Sequence, residues 1–149
     1  MTIKPGEPGL RPDIDIKPFW SGYEAGVRLA CEEKLRNAPG STFVYSDINF
    51  IILGELVRIA SGRRLDVYAA EEIFRPLKMI DSTFNPPAAK YPRIAPTELT
   101  DGHMLRGVVH DPTTRAMGGV AGHAGLFPPA ADLARFARMI LNRGELDGV

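Results

Sequence analysis

Apolar residues crowd one stretch of the chain. Ile48, Ile51, Ile52, Leu56 and Ile59 recur at spacings of three and four, and Leu53, Val57 and Ala60 widen the stripe until almost the whole circumference is apolar. This pattern predicts a buried helix. Ser46 or Asp47 can accept a hydrogen bond from the free amides of its first turn, and Gly62 suits the left-handed position after its last turn. The β-branched and aromatic run Phe43-Val44-Tyr45 therefore delivers Tyr45 to the mouth of that helix.

Weaker periodicities flank it. Tyr23, Val27, Ala30 and Cys31 follow a Ser21-x-x-Glu24 capping box and predict a helix from about 22 to 35. Asp66 is placed to cap a helix from Val67 to Phe74 that Pro76 ends, with Leu77, Met79 and Ile80 as core plugs beyond it. Ser82-Thr83-Phe84 has strand composition. From Asn85 to about Thr114 no period is sustained and prolines punctuate the run, which marks a long functional or covered loop. A last helix, about Ala130 to Asn142, gathers Leu133, Phe136, Ala137, Ile140 and Leu141 on one face, sets Arg135, Arg138 and Arg143 elsewhere, and stops at Gly144.

Residues 1–20, with four prolines and two glycines, predict an extended strap instead of helix. Pro39-Gly40 predicts the turn that sends the chain toward Tyr45. Gly118, Gly119, Gly122 and Gly125 leave little but small side chains between them apart from His123, so this segment should lie tightly against another part of the chain or a ligand. It is no phosphate loop, because neither glycine-rich nucleotide fingerprint is present.

At 149 residues the chain has the length of one domain, and its 18 basic and 18 acidic side chains cancel without forming blocks, which argues against nucleic acid or an anionic membrane surface as partner. No apolar run is long enough to span a bilayer, and residues 1–11 are polar, unlike a signal peptide. The single Cys31 excludes an internal disulfide and reads as a small, partly buried filler. His103, His110 and His123 lack the spacing of a compact zinc site, and no metal or cofactor is expected.

Tyr45-Ser46-Asp47 opening an apolar helix, Gly118-Gly119-Val120-Ala121-Gly122-His123-Ala124-Gly125-Leu126-Phe127 and Asp132-Leu133-Ala134-Arg135-Phe136 together resemble the penicillin-recognising serine hydrolases: class C β-lactamases, DD-peptidases and related esterases. The match runs over roughly residues 20 to 149. It implies an α/β parent fold, an antiparallel sheet flanked by helices, of which this segment supplies mostly helix and loop with few short strands. Residues 21–149 would then be the helical part of that domain, incomplete at both ends, with the flanking segments of the same domain as missing partners.

The resemblance assigns Tyr45 the role of proton acceptor. An unperturbed phenol, with a pKa near ~10, is rarely ionised at neutral pH, so nearby cations are needed; the family supplies them from a Ser-x-x-Lys motif and a Lys/His-Thr-Gly strand. Neither motif occurs here. Ser61-Gly-Arg-Arg64 comes nearest, and a guanidinium cannot take a proton. Asp47 stands where β-lactamases carry asparagine; a carboxylate only accepts hydrogen bonds and disfavours carboxylate-bearing lactams, which tilts the parent toward esterase or peptidase. Asn49 is a candidate for the missing amide, and His110 and His123 are candidates for lining the site. Each has a plainer reading: Tyr45 as a structural tyrosine at a helix mouth, Asp47 as a cap, His110 in a turn, His123 as a satisfied buried histidine.

The function expected is hydrolysis of an ester, amide or β-lactam through an acyl-enzyme, the chain alone lacking the nucleophile. The alternative is a binding or scaffolding module that kept the fold and lost the serine. Relatives of this kind are often periplasmic or secreted, but the sequence itself leaves the compartment open.

Overall fold

The computed structural model describes residues 20–100 and 102–149. The expected strap over residues 1–20 lies outside these, apart from Trp20. Five helices and four two-residue strands follow one another: α1 (Tyr23–Glu32), α2 (Asp47–Ser61), α3 (Leu65–Ala69), β1 (Thr83–Phe84), β2 (Leu99–Thr100), β3 (His103–Met104), α4 (Pro112–Ala116), β4 (Leu126–Phe127) and α5 (Ala130–Leu141). The fragment is mostly helix and loop, as the sequence implied.

The central helix begins and ends as its sequence dictates. Ser46 Oγ accepts from the Asn49 amide at 3.3 Å, and Gly62, at φ 69°, donates its amide to the Arg58 carbonyl. Before it, the Ser41 amide donates to the Ala38 carbonyl at 3.1 Å across Pro39-Gly40, closing the expected turn. Its burial differs from expectation. Only Ile51 and Gly54 are buried, whereas Phe50, Leu53, Leu56 and Ile59 are half exposed or more. A helix apolar all round needs cover on every side. Among the described residues α1, α3 and the glycine-rich loop cover one side only.

Two cores result. Ala30, Ile51, Met117 and Ala121 pack together with Trp20, Tyr23, Val27, Ile48 and Ile52 around them. The second joins Ala69, Phe74, Leu77, Met79 and Leu146, with Phe84 and Met139 against them. The glycine-rich segment fits tightly into the first: Gly122 lies against the Phe50 carbonyl and Gly54, and a methyl group on Gly54 would stand 3.1 Å from the Gly122 nitrogen. That close approach is the packing its composition predicted.

Several local expectations are corrected. The Ser21 capping box does not form; Gly22, at φ 99°, occupies the N-cap of α1 and its amide is taken by the Ala116 carbonyl at 2.7 Å. Cys31 is exposed: it follows buried Ala30 directly, about 100° further round α1, and so points off the face that Gly26 and Ala30 bury. The helix expected from Val67 starts at Leu65 with Arg64 as N-cap; Asp66 sits inside its first turn and pairs with Arg64 at 2.9 Å instead of capping, and a π-helical turn, Ala70–Phe74, continues it. Leu77 and Met79 are buried, but Ile80 is 85% exposed, since the chain turns outward between the two buried plugs and β1.

The long run after Asn85 is not featureless. It holds a 3₁₀ turn (Ala88–Arg93), the β2–β3 pairing of Leu99 with Met104 and Thr100 with His103, and α4. Thr83-Phe84 is the expected strand and pairs antiparallel with Phe127 and Leu126. On α5 the apolar face is open: Leu133, Phe136, Ile140 and Leu141 are all substantially exposed, and the buried residue is Asp132. Its Oδ2 accepts from the Asp81 amide at 3.0 Å, the Ser82 amide at 2.8 Å and the Ser82 hydroxyl at 2.9 Å. Arg135, expected on the free face, donates to the Leu77 carbonyl and pairs with Asp147 at 2.6 Å. Polar groups, not the apolar stripe, dock this helix.

Candidate active site

Tyr45 stands immediately before the N-cap Ser46, at the mouth of α2, and is 68% exposed. Phe43-Val44-Tyr45 joins no strand pair among the described residues, and Ser46 after it is extended. Asp47 occupies the first turn and is half buried; Asn49, one turn-step on, is exposed and gives its backbone amide to Ser46. These three residues share one end of one helix, as their spacing required.

A second tyrosine clarifies what Tyr45 offers. Tyr23 donates its hydroxyl to Glu55 at 3.1 Å; burial first, and then this bond to a carboxylate, push the phenol up to about 12. It stays protonated and makes no base. Glu55 is itself held below the usual carboxylate range, chiefly by the Arg58 fork at 2.7 Å.

His110 and His123 lie elsewhere. Both line a cavity of about 680 Å³ together with Asp81, Lys90, Arg93, Asp111 and Phe127, and Tyr45, Asp47 and Asn49 are not among its lining. The five predicted site residues thus form two groups, with Gly122 wedged against α2 between them. His110 is exposed, and its Nε2 lies 3.7 Å from Glu98 Oε2. The side chain of His123 is 3% exposed; its Nε2 meets Asp111 Oδ1 at 2.9 Å and Thr114 Oγ1 at 3.0 Å, and its Nδ1 has no partner among the described residues.

Asp111, which the sequence offers with His110 as part of a Pro-bounded turn, opens a helix instead. It caps α4 by accepting from the Thr114 amide at 2.6 Å, with Pro112 at the first helical position. Burial works to raise its pKa, but the hydrogen bonds from His123 and Thr114 more than offset it and leave the group at about 2. The folded value lies below the unfolded one, so this stabilisation is present above pH ~4 and is lost as pH falls toward ~2. Acid titration of the folded chain should show a loss of roughly 2 kcal/mol across that window, absent in Asp111→Asn. An identical acid limb in both would remove the pair from the account.

Among the described residues no group of three His, Cys, Asp or Glu side chains is placed to hold a metal ion, and no helix is long and apolar enough to cross a membrane.

The described residues thus hold a tyrosine at the mouth of a helix, a glycine loop pressed on that helix, and two short antiparallel strand pairs. The family model described as Beta-lactamase matches residues 5–148, and the chain belongs to that family. The match reaches into the first 20 residues, beyond the span the motifs alone had marked.

Relatives are consistent with it. The Escherichia coli K12 protein named "Putative D-alanyl-D-alanine carboxypeptidase" is 39% identical over 127 residues, which is 74% of this chain and 29% of that protein. A protein of the same name from Salmonella schwarzengrund is 37% identical over 150 residues, 89% of this chain and 34% of that one. The chain therefore spans about a third of the length of these relatives. In fold it is similar to an octameric penicillin-binding protein homologue from Pyrococcus abyssi, with a TM-score of 0.63 at 21% identity over 88% of this chain and 29% of that chain. It is similar also to a β-lactamase/D-alanine carboxypeptidase from Yersinia pestis, with a TM-score of 0.61 at 20% identity over 92% and 35% of the two chains.

Proposed function

We propose that this chain is the tyrosine-bearing helical portion of a serine hydrolase that cleaves an ester or amide, a peptide amide by analogy with its carboxypeptidase-named relatives, through an acyl-enzyme. The observation that carries this reading is Tyr45, exposed at the mouth of a capped helix in a chain of this family. A serine in a Ser-x-x-Lys setting attacks the carbonyl, Tyr45 relays the proton, and water then releases the acyl group. Asp47 accepts from the lysine or from a substrate N–H, and Asn49 offers its amide.

None of the five serines here has a lysine three positions on. The nucleophile and the Lys/His-Thr-Gly strand belong to segments of the domain outside these residues, and the exposed side of α2 is where those segments pack. Incubated with a fluorophosphonate or penicillin probe, the 149-residue chain should take up no covalent label by mass spectrometry. Stoichiometric modification of any serine would overturn this division of labour. A polypeptide that joins the chain to both motifs and still takes up no label would favour the non-catalytic binding module.

A further inference from the structure

His123 is buried too deeply to meet a substrate beside Tyr45. Its side chain is 3% exposed, and Tyr45 is not among the residues lining the cavity that it borders. What it holds is a loop. Its Nε2 lies 2.9 Å from Asp111 Oδ1 and 3.0 Å from Thr114 Oγ1. A carboxylate only accepts, so this nitrogen carries the hydrogen and donates it. Thr114 is fully buried, and its carbonyl accepts from the Gly119 amide at 2.8 Å. Gly125 completes the knot: a Cβ on it would overlap the Gly119 carbonyl oxygen and stand 3.2 Å from the Thr114 methyl group.

Residues 111–123 thus close on themselves, tied end to end by the bond from His123 to Asp111. Within this closed loop Met117 and Ala121 enter the first core with Ile51, and Gly122, the residue before His123, lies against the Phe50 carbonyl. Both contacts fall near the start of α2. Phe50 and Ile51 follow Asp47 by three and four residues, ~4.5 to 6 Å of rise or about one helical turn. Tyr45 stands two residues before Asp47. Because the Phe50 carbonyl is backbone and cannot turn aside, a displacement of Gly122 displaces the turn that carries the tyrosine.

We propose that His123 is a positioning residue for Tyr45. This role rests on Tyr45 being the proton relay. His123 touches no reacting atom; bonded to Asp111 and Thr114, it seats Gly122 on α2 and so holds the tyrosine in line with the nucleophile. Misplacing a reacting group by about 1 Å can cost ~10²-fold in rate.

The test uses the polypeptide that joins the chain to its Ser-x-x-Lys and Lys/His-Thr-Gly segments, with two substitutions that differ by a single methylene. His123→Gln places an amide nitrogen about where Nε2 stands and keeps the bond to Asp111, whereas His123→Asn places it about where Nδ1 stands and loses that bond. With an activated ester, His123→Asn should lower kcat by ~10- to 100-fold with KM within about threefold, and His123→Gln should stay within about threefold of the parent and keep its pH profile. In a Tyr45→Phe background His123→Asn should lower kcat by no more than about twofold further, because the group it positions is gone. Hydrogen exchange over residues 47–54 should be about tenfold faster in His123→Asn and parental in His123→Gln, while residues 69–79 of the second core exchange as before. The proposal is overturned if the two variants turn over alike, if the loss in His123→Asn persists in full beside Tyr45→Phe, or if exchange over residues 47–54 does not change. It is overturned also if His123→Asn does not fold, since the bond would then be a strut for the whole core. A Tyr45→Phe rate equal to the parent's would remove the proton relay itself, and exchange over residues 47–54, which needs no catalysis, tells that result apart from a failure of His123 to hold the helix.

Discussion

Gly122→Ala should unfold or reorganise the first core, at a cost of about 3 kcal/mol or more. The added methyl group would enter the space held by the Phe50 carbonyl oxygen, with the Gly54 nitrogen 3.1 Å away. Both obstacles are backbone, in the middle of a hydrogen-bonded helix, and neither can turn aside as a side chain can. Overpacking against movable neighbours typically costs ~1–3 kcal/mol, and here the neighbours are fixed. The same substitution at Gly40 is a fair comparison. Its φ of 76° disfavours alanine, but a Cβ there meets open space, so about 1–2 kcal/mol of backbone strain is the whole effect. Urea unfolding of the two variants beside the parent chain gives the comparison directly. A Gly122→Ala midpoint equal to that of Gly40→Ala would show that the loop does not press on α2 as described.

Tyr45→Phe should have the largest effect on rate. In a polypeptide joining this chain to its Ser-x-x-Lys and Lys/His-Thr-Gly segments, turnover of an activated ester should fall by ~10²- to 10⁴-fold, the usual worth of a positioned acid or base. Stability should hardly change, because the side chain is 68% exposed and phenylalanine keeps the ring. Turnover and melting temperature measured on one sample separate the alternatives. If the rate stays within a few-fold while the melt drops, Tyr45 is a structural element of the helix mouth and the proposed chemistry loses its base.

How far the sequence could be read depended on whether a signal was local. The Ser46 cap, the Gly62 stop, the Pro39-Gly40 turn and the Thr83-Phe84 strand are each set by neighbours within a few residues, and all were legible. Ser21-x-x-Glu24 was equally local yet failed, because Gly22 found a better partner in Ala116, far along the chain. Burial was harder still. Leu56, Ile59 and Ile80 are apolar and exposed, and no periodicity reveals whether a covering surface exists. The candidate site divided for the same reason: Tyr45, Asp47 and Asn49 are bound together by helix geometry, whereas the Asp111–His123 pair bridges 12 positions and arises only when the glycine loop folds back onto α4. Asp132 entered the sequence reading only within the Asp132-Leu133-Ala134-Arg135-Phe136 motif, which carries no sign of its distant partners. An acid in the first turn of a helix usually serves that helix; this one serves residues 50 positions earlier.

That last span governs when the chain can become ordered during its synthesis. As the polypeptide emerges from its N-terminus, α1, α2 and α3 can assemble early, since their contacts are mostly sequential. The Asp81 and Ser82 amides have no carboxylate to meet until Asp132 has been made and α5 has formed behind it, and closing so long a loop is entropically slow to reward. Until then Leu77 and Met79 lack Leu146, which completes their core from the far side of α5. The first core is itself complete only once Met117 and Ala121 have been made, and the second waits for Asp132 and then Leu146, so both cores close late and nearly together.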